Sequence, residues 1–274
     1  MGTPSLFDSI LCPGGLSLAV DGIFEVQLET KLPQIHSLEC FSYGPPGTNL
    51  ERPEVLRAYV QRKRKECEID RACTELAVHS ISQLDWSPVW SINVHAATLG
   101  KDLNFLDFLR TTIEHWSLTP SRLIVKIIEP GCQWNCAAFL DALEGLRRMG
   151  ARIALDDIGS GRSNFRMMLD CQPDFFRIDG HFVKGVCWDT YRQAILESIS
   201  YLAQKTGVQL IAQGVEDAAD LHTLLNSGIT LVQGSLFSKP LPFSELLQTH
   251  HYPFSPVNFE SAPTLSFENQ RDGV

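Results

Sequence analysis

No apolar run in the 274-residue sequence approaches the roughly 18 residues that a membrane-spanning helix requires, so a helical membrane protein is not expected. Residues 1–20 lack a basic leader and are interrupted by Asp8, Pro13, Gly14 and Gly15. They do not read as a secretory signal, and the chain reads as cytoplasmic. Positive charge is scarce. The 23 Lys and Arg face 32 Asp and Glu, a formal net charge of −9, which argues against a nucleic-acid backbone as the main partner. An acidic chain that binds an anion needs local cations or metal ions to do so. The eight cysteines form no C-x-x-C pair and no zinc-type spacing, and Cys132 and Cys136, at i, i+4, have no histidine beside them. Scattered reduced thiols are the expectation. Internal repeats and low-complexity tracts are also lacking.

What is present is an alternation of short apolar runs with longer amphipathic ones, the pattern of βα units. Eight strands are expected at residues 23–30, 37–43, 90–94, 123–128, 152–157, 175–178, 209–212 and 229–233. Helical stretches fall between them, among them 53–84, 134–149, 191–205 and 218–226, with Gly207 and Gly228 as stops. Eight strands with intervening helices imply an α/β fold of the (β/α)8 barrel type. Only residues 31–36 separate the first two strands. A parallel crossover needs a dozen or more residues, so these two should form an antiparallel hairpin. The barrel is expected over 21–250, with tails at 1–20 and 251–274. The basic run from Gln61 to Glu66 lies inside a helical stretch and reads as a solvated face.

Barrel enzymes place their chemistry at the C-terminal ends of the strands, above packed apolar layers. Polar residues inside the apolar runs are therefore informative. In order they are Glu39, Asn93, Lys126, Asp156 and Asp157, Arg177, Gln213 and Gln233, one or two to a strand near the same end. Together they read as one polar mouth. Asp156 and Asp157 stand where the fifth strand gives way to Gly159-Ser-Gly161-Arg-Ser-Asn164, a turn suited to metal or phosphate.

These residues resemble the EAL family, bacterial phosphodiesterases that linearise cyclic di-GMP on a (β/α)8 barrel with one antiparallel strand. The family's E-A-L falls on Glu39-Cys-Phe41 and its metal-binding asparagine on Asn93. Its L-D-D-F-G-T-G falls on Leu155-Asp-Asp-Ile-Gly-Ser-Gly161, its K-I-D on Arg177-Ile-Asp179, its A-E-G-V-E on Ala212-Gln-Gly-Val-Glu216 and its Q-G on Gln233-Gly234. The resemblance implies metal ligation by Glu39, Asn93, Asp156 and Asp157, loop support from Glu216, and Mg2+ or Mn2+ in an active member. Gln233 and Asp157 would bind a guanine edge or order the loop.

The departures concentrate at the chemistry. In E-I-T-E, here Lys126-Ile-Ile-Glu129, a metal-ligating glutamate has become lysine. A second-metal glutamate has become Gln213, the water-positioning lysine has become Arg177, and the phosphate-gripping arginine after E-A-L has become Tyr43. An intact site of this pattern carries roughly −4, which two divalent ions neutralise. Here Glu39, Asp156 and Asp157 face Lys126 and Arg177, a net of −1. A protonated amine has no lone pair for a metal, so the expectation is that tethered cations replace bound ions and no cofactor is held.

The implied function is a degenerate EAL domain that acts by binding. A protein partner is favoured because Tyr43 removes a phosphate contact, although Arg162 and Arg177 are candidates to replace it at cyclic di-GMP. A homodimer through the region of Arg162 and Met167–Met168 is a further expectation of the resemblance. Two alternatives stay open: a metal-dependent cyclic di-GMP phosphodiesterase, with Lys126 turned away from the mouth, and an unrelated barrel enzyme using Lys126 as a Schiff-base nucleophile.

Overall fold

Strands form where β-branched and apolar residues run together, and the helices between them cover their outer faces. The computed structural model describes residues 6–27, 29–30, 32–128, 136–158 and 165–254, leaving aside the side chains of 157, 158, 165 and 166. The strands are β1 (Ser17–Val26), β2 (Pro33–Tyr43), β3 (Trp90–His95), β4 (Leu123–Ile128), β5 (Arg152–Ile158), β6 (Phe175–Ile178), β7 (Gln209–Ala212), β8 (Leu231–Val232) and β9 (Leu241–Pro242). The helices are α1 (Leu6–Leu11), α2 (Pro53–Lys63), α3 (Glu66–Ser82), α4 (Ala96–Lys101), α5 (Phe105–His115), α6 (Ala137–Met149), α7 (Phe165–Cys171), α8 (Gly180–Val183), α9 (Thr190–Thr206), α10 (Ala218–Asn226) and α11 (Phe243–Leu246).

β2 to β8 run parallel in chain order. β1 pairs antiparallel with both β2 and β8 and so closes an eight-stranded barrel, with β9 added along β1. The expected hairpin is present. Its first strand is earlier than expected, however, beginning at Ser17 rather than residue 23 and pairing Ser17 with Tyr43. The segment 1–20, expected to be a tail, therefore supplies α1 and the start of β1. At the other end Tyr252 is buried against the barrel. The single helix expected over 53–84 is two helices, because Arg64 takes a left-handed conformation (φ 55°) and ends α2. Asp189 caps α9 by accepting from the backbone N–H groups of Tyr191 and Arg192, and Asp217 caps α10 in the same way. Gly207 ends α9 at φ 75° and Gly228 follows α10 at φ 78°, as their positions in the sequence suggested.

The core is layered. Ile23, Ile124, Ala154, Phe175, Ile211 and Leu231, from six strands, pack together as an apolar plug inside the barrel. Residues of the opposite parity, such as Val125, Ile127 and Ile153, join the larger core under the helices. A satellite cluster of Phe7, Ile10, Leu50, Leu56, Val60 and Ile69 fastens α1 and α2 to α3.

Candidate functional site

Side chains on a strand repeat a face every second residue. One such step up from the apolar plug, Ile124 is followed by Lys126, Ala154 by Asp156, Phe175 by Arg177, Ile211 by Gln213 and Leu231 by Gln233. On β1, which runs the other way, the step from Ile23 leads back to Asp21, and Asp21 stands in register with Glu39 on β2. The strand period thus builds one polar layer above one apolar layer, at the C-terminal ends of the parallel strands.

That layer is a closed ionic network. The Lys126 ammonium, 3% exposed, donates to Glu39 Oε1 and lies 3.1 Å from Asp156 Oδ2. Arg177 places Nη1 2.8 Å from Glu39 Oε2 and Nε 3.2 Å from Asp156 Oδ1, while its Nη2 donates to Gln233 Oε1 at 2.8 Å. Gln233 Nε2 reaches both Glu39 Oε2 (3.0 Å) and Asp21 Oδ2 (3.1 Å), and Ser238 Oγ donates to Asp21 Oδ1 at 3.1 Å. Gln213 Nε2 donates to Asp156 Oδ1 at 3.1 Å. Every carboxylate oxygen of Glu39 and Asp156 therefore faces an ammonium, a guanidinium or an amide N–H.

The protonation states follow from these neighbours. Burial pushes the Asp156 carboxyl up, but Lys126 and Arg177 outweigh it and hold the group at about 2. Glu39 is likewise pulled below the usual carboxylate range: burial opposes the shift, and Arg177 and Lys126 overcome it. Among the described residues Asp21 has no ion-pair partner. Burial and the charge of Glu39 push it up to about 6.

The structure sorts the expected residues. Glu39, Lys126, Asp156, Arg177, Gln213 and Gln233 meet in this network. Lys126 does not turn away from the mouth, and as an ammonium bonded to two carboxylates it offers no lone pair to a carbonyl. Arg177, expected as a candidate phosphate contact, is instead spent on Glu39, Asp156 and Gln233. Asn93, expected at a metal, turns its amide to donate to the Cys40 carbonyl at 3.1 Å, while its Oδ1 is buried with no partner among the described residues. Tyr43 ends β2 half-buried, outside the residues that line the mouth. Glu216 stands apart on the surface, 2.7 Å from Lys184. The Asp157 side chain and Arg162 lie outside what is described.

Two mouth residues went unread in the sequence. Asp21 had a signal, as the one charge inside the apolar run from Leu18 to Phe24. Arg57 had none, because it is one of several basic residues along a single helical stretch and nothing in its spacing sets it apart. A different group, Cys187, Asp217 and Asp220, brings ligating atoms within 4.8 Å of one another. Its carboxylates are engaged in accepting backbone N–H bonds, and burial and Asp220 push the Cys187 thiol up to about 12.

A closed barrel with one antiparallel strand and a charged layer at its C-terminal mouth defines a (β/α)8 domain of the mixed type. The EAL domain family profile matches residues 24–240, and the chain belongs to that family. Cyclic di-GMP phosphodiesterase NbdA of Pseudomonas aeruginosa is 28% identical over 243 residues, covering 86% of this chain and 30% of that protein. Klebsiella pneumoniae BlrP1, solved as a manganese/cy-diGMP complex at pH 6, is 25% identical with a TM-score of 0.73, covering 85% of this chain and 57% of that one. The Xanthomonas citri FimX EAL domain, solved in complex with c-diGMP, shares the fold at 17% identity and a TM-score of 0.76, covering 91% of this chain and 95% of that one. The chain spans about a third of the length of NbdA and of a second curated relative that it matches.

Proposed function

We propose that this EAL domain is catalytically silent and acts by binding, with cyclic di-GMP as the ligand of its mouth. The observation that carries the reading is the position of Lys126, held between Glu39 and Asp156 with Arg177 on their remaining oxygens. Those carboxylates are the ones the family resemblance gives to metal ions. A divalent ion would have to displace an ammonium from them and then sit beside it and a guanidinium. Residues arranged in this way do not fit a two-metal centre. Without metal, the attacking water keeps a pKa near 15.7 instead of near 7, which removes many orders of magnitude in rate. Arg177 stays protonated under ordinary conditions and is no substitute base.

The test is a hydrolysis assay with cyclic di-GMP in Mg2+ and in Mn2+, read by chromatography of the linear product. The expected result is no product above the blank. Turnover at rates normal for enzymes, about 1 per second or more, would establish the metal-dependent phosphodiesterase instead.

A second reading, recognition of a protein, has its own observation. Tyr191 (84% exposed) and Ile195 share one face of α9 with the half-buried Leu202, with Trp188 (71%) just before the helix and Leu169 (70%) of α7 lining one cavity with Leu202. Such a stripe of large apolar groups suits a protein surface, either a second copy of this chain or another protein.

A further inference from the structure

An anion entering the mouth meets Asp21, Glu39 and Asp156, and the two cations beside them are already committed. Lys126 is ion-paired with Glu39 and Asp156, and Arg177 is ion-paired with Glu39 and Asp156 and hydrogen-bonded to Gln233. Among the described residues, the cavity above this network, about 300 Å3, has one further basic residue in its wall: Arg57, on the second turn of α2. Among the described residues Arg57 has no ion-pair partner. Its backbone is held firmly, because Leu56 and Val60 on either side of it are buried in the satellite core with Phe7, Ile10, Leu50 and Ile69. Phe41 lines the same cavity, with the Lys126 ammonium 5.8 Å from the centre of its ring.

We infer that Arg57 is the phosphate-gripping residue of this mouth, doing from a helix what the resemblance assigns to position 43 at the end of β2. The inference rests on the ligand-binding reading above and names the residue that makes it electrostatically feasible. A layer with three carboxylates and two internally paired cations repels an anion, and one uncommitted guanidinium reverses that locally. Its planar fork matches a phosphodiester's two free oxygens, and the Phe41 ring matches a nucleobase. The ligand class is therefore a phosphodiester carrying a heteroaromatic base. Tyr43, half-buried and outside the mouth lining, makes no such contact.

The test is calorimetric titration of cyclic di-GMP into the full chain as wild type, Arg57→Ala, Arg57→Lys and Arg62→Ala, at low and high salt. Arg62 is an exposed cation on the same helix and does not line the mouth. Arg57→Ala is expected to weaken binding about ten- to a hundredfold and to flatten its salt dependence, with Arg57→Lys recovering part of the loss. Arg62→Ala should bind like wild type. Binding by Arg57→Ala within about twofold of wild type, or an equal loss in Arg62→Ala, overturns the assignment and leaves the binding reading standing. No binding by the wild type overturns the binding reading itself, and the inference with it. Arg57 is only half-buried, and matched thermal melts of the four proteins exclude misfolding as the cause of a loss.

Discussion

Asp21 and Asp156 lie in one polar layer and respond to pH in opposite directions. The Asp156 carboxyl, held at about 2 once the pull of Lys126 and Arg177 exceeds the cost of burial, favours folding at any pH above the ordinary aspartate range. That contribution fades as pH falls toward 2. The Asp21 carboxyl, pushed up to about 6 by burial and by Glu39, binds its proton more tightly in the folded chain than in the unfolded one. Its contribution is complete below about pH 4 and disappears as pH rises through 6. Asp21→Asn keeps an oxygen for Gln233 and an N–H for Ser238, whose hydroxyl can rotate to accept it. The variant should therefore be more stable than wild type at pH 7.5, by about 1–3 kcal/mol, with the gap closing toward pH 4.5. Urea unfolding at the two pH values measures this, and a gap that does not change with pH would contradict it. Lys126 shows the limit of reading single residues. Its identity announced a lost metal ligand, but only the folded barrel shows that its head stays with Glu39 and Asp156 and does not leave for solvent.

Among the elements, the strands were the most legible part of the fold. β4, β6 and β7 lie where the sequence pattern placed them, because each is a short apolar run covered on both faces. The polar ladder was legible for the same reason, since a charge in such a run must stand at a strand end or be paired. β1 was not legible. Its first half lies just after Pro13, Gly14 and Gly15 and includes Asp21 and Gly22, a charge and a glycine that dilute the apolar pattern although both are paired with β2. Asn93 shares its register with Lys126 but turns away, a side-chain choice that no strand period dictates. The last parallel strand delivers Gln233 through a close approach of two backbones. A Cβ at Gly234 would lie 2.2 Å from the Val215 carbonyl oxygen and 2.4 Å from its nitrogen. Gly234→Ala must push the β7 and β8 ends apart, which should cost about 2–4 kcal/mol and release Gln233 from Glu39 and Asp21. Chemical denaturation measures the cost, and a loss under about 0.5 kcal/mol would show that the approach is not tight.

The whole molecule carries a net charge of −9, with Lys126 and Arg177 of its mouth paired internally and an apolar stripe along α9. No described helix is long and apolar enough to cross a membrane. If the stripe meets a second copy, Tyr191→Asp combined with Leu169→Asp should convert a dimer to a monomer in analytical ultracentrifugation. A wild type already monomeric at high concentration would direct the stripe to another protein. A buried ionic layer such as the one above the plug is weak as a source of stability, because desolvation offsets its attraction. Its effect is to fix which charges face the mouth. The central claim is that tethered side-chain cations hold the places of metal ions in this barrel. Calorimetric titration of Mn2+ into the wild type and into Lys126→Glu with Gln213→Glu tests it most directly. The account predicts no binding by the wild type at millimolar Mn2+ and measurable binding once the two carboxylates are restored, whereas stoichiometric binding by the wild type, or identical titrations of the two proteins, would contradict it.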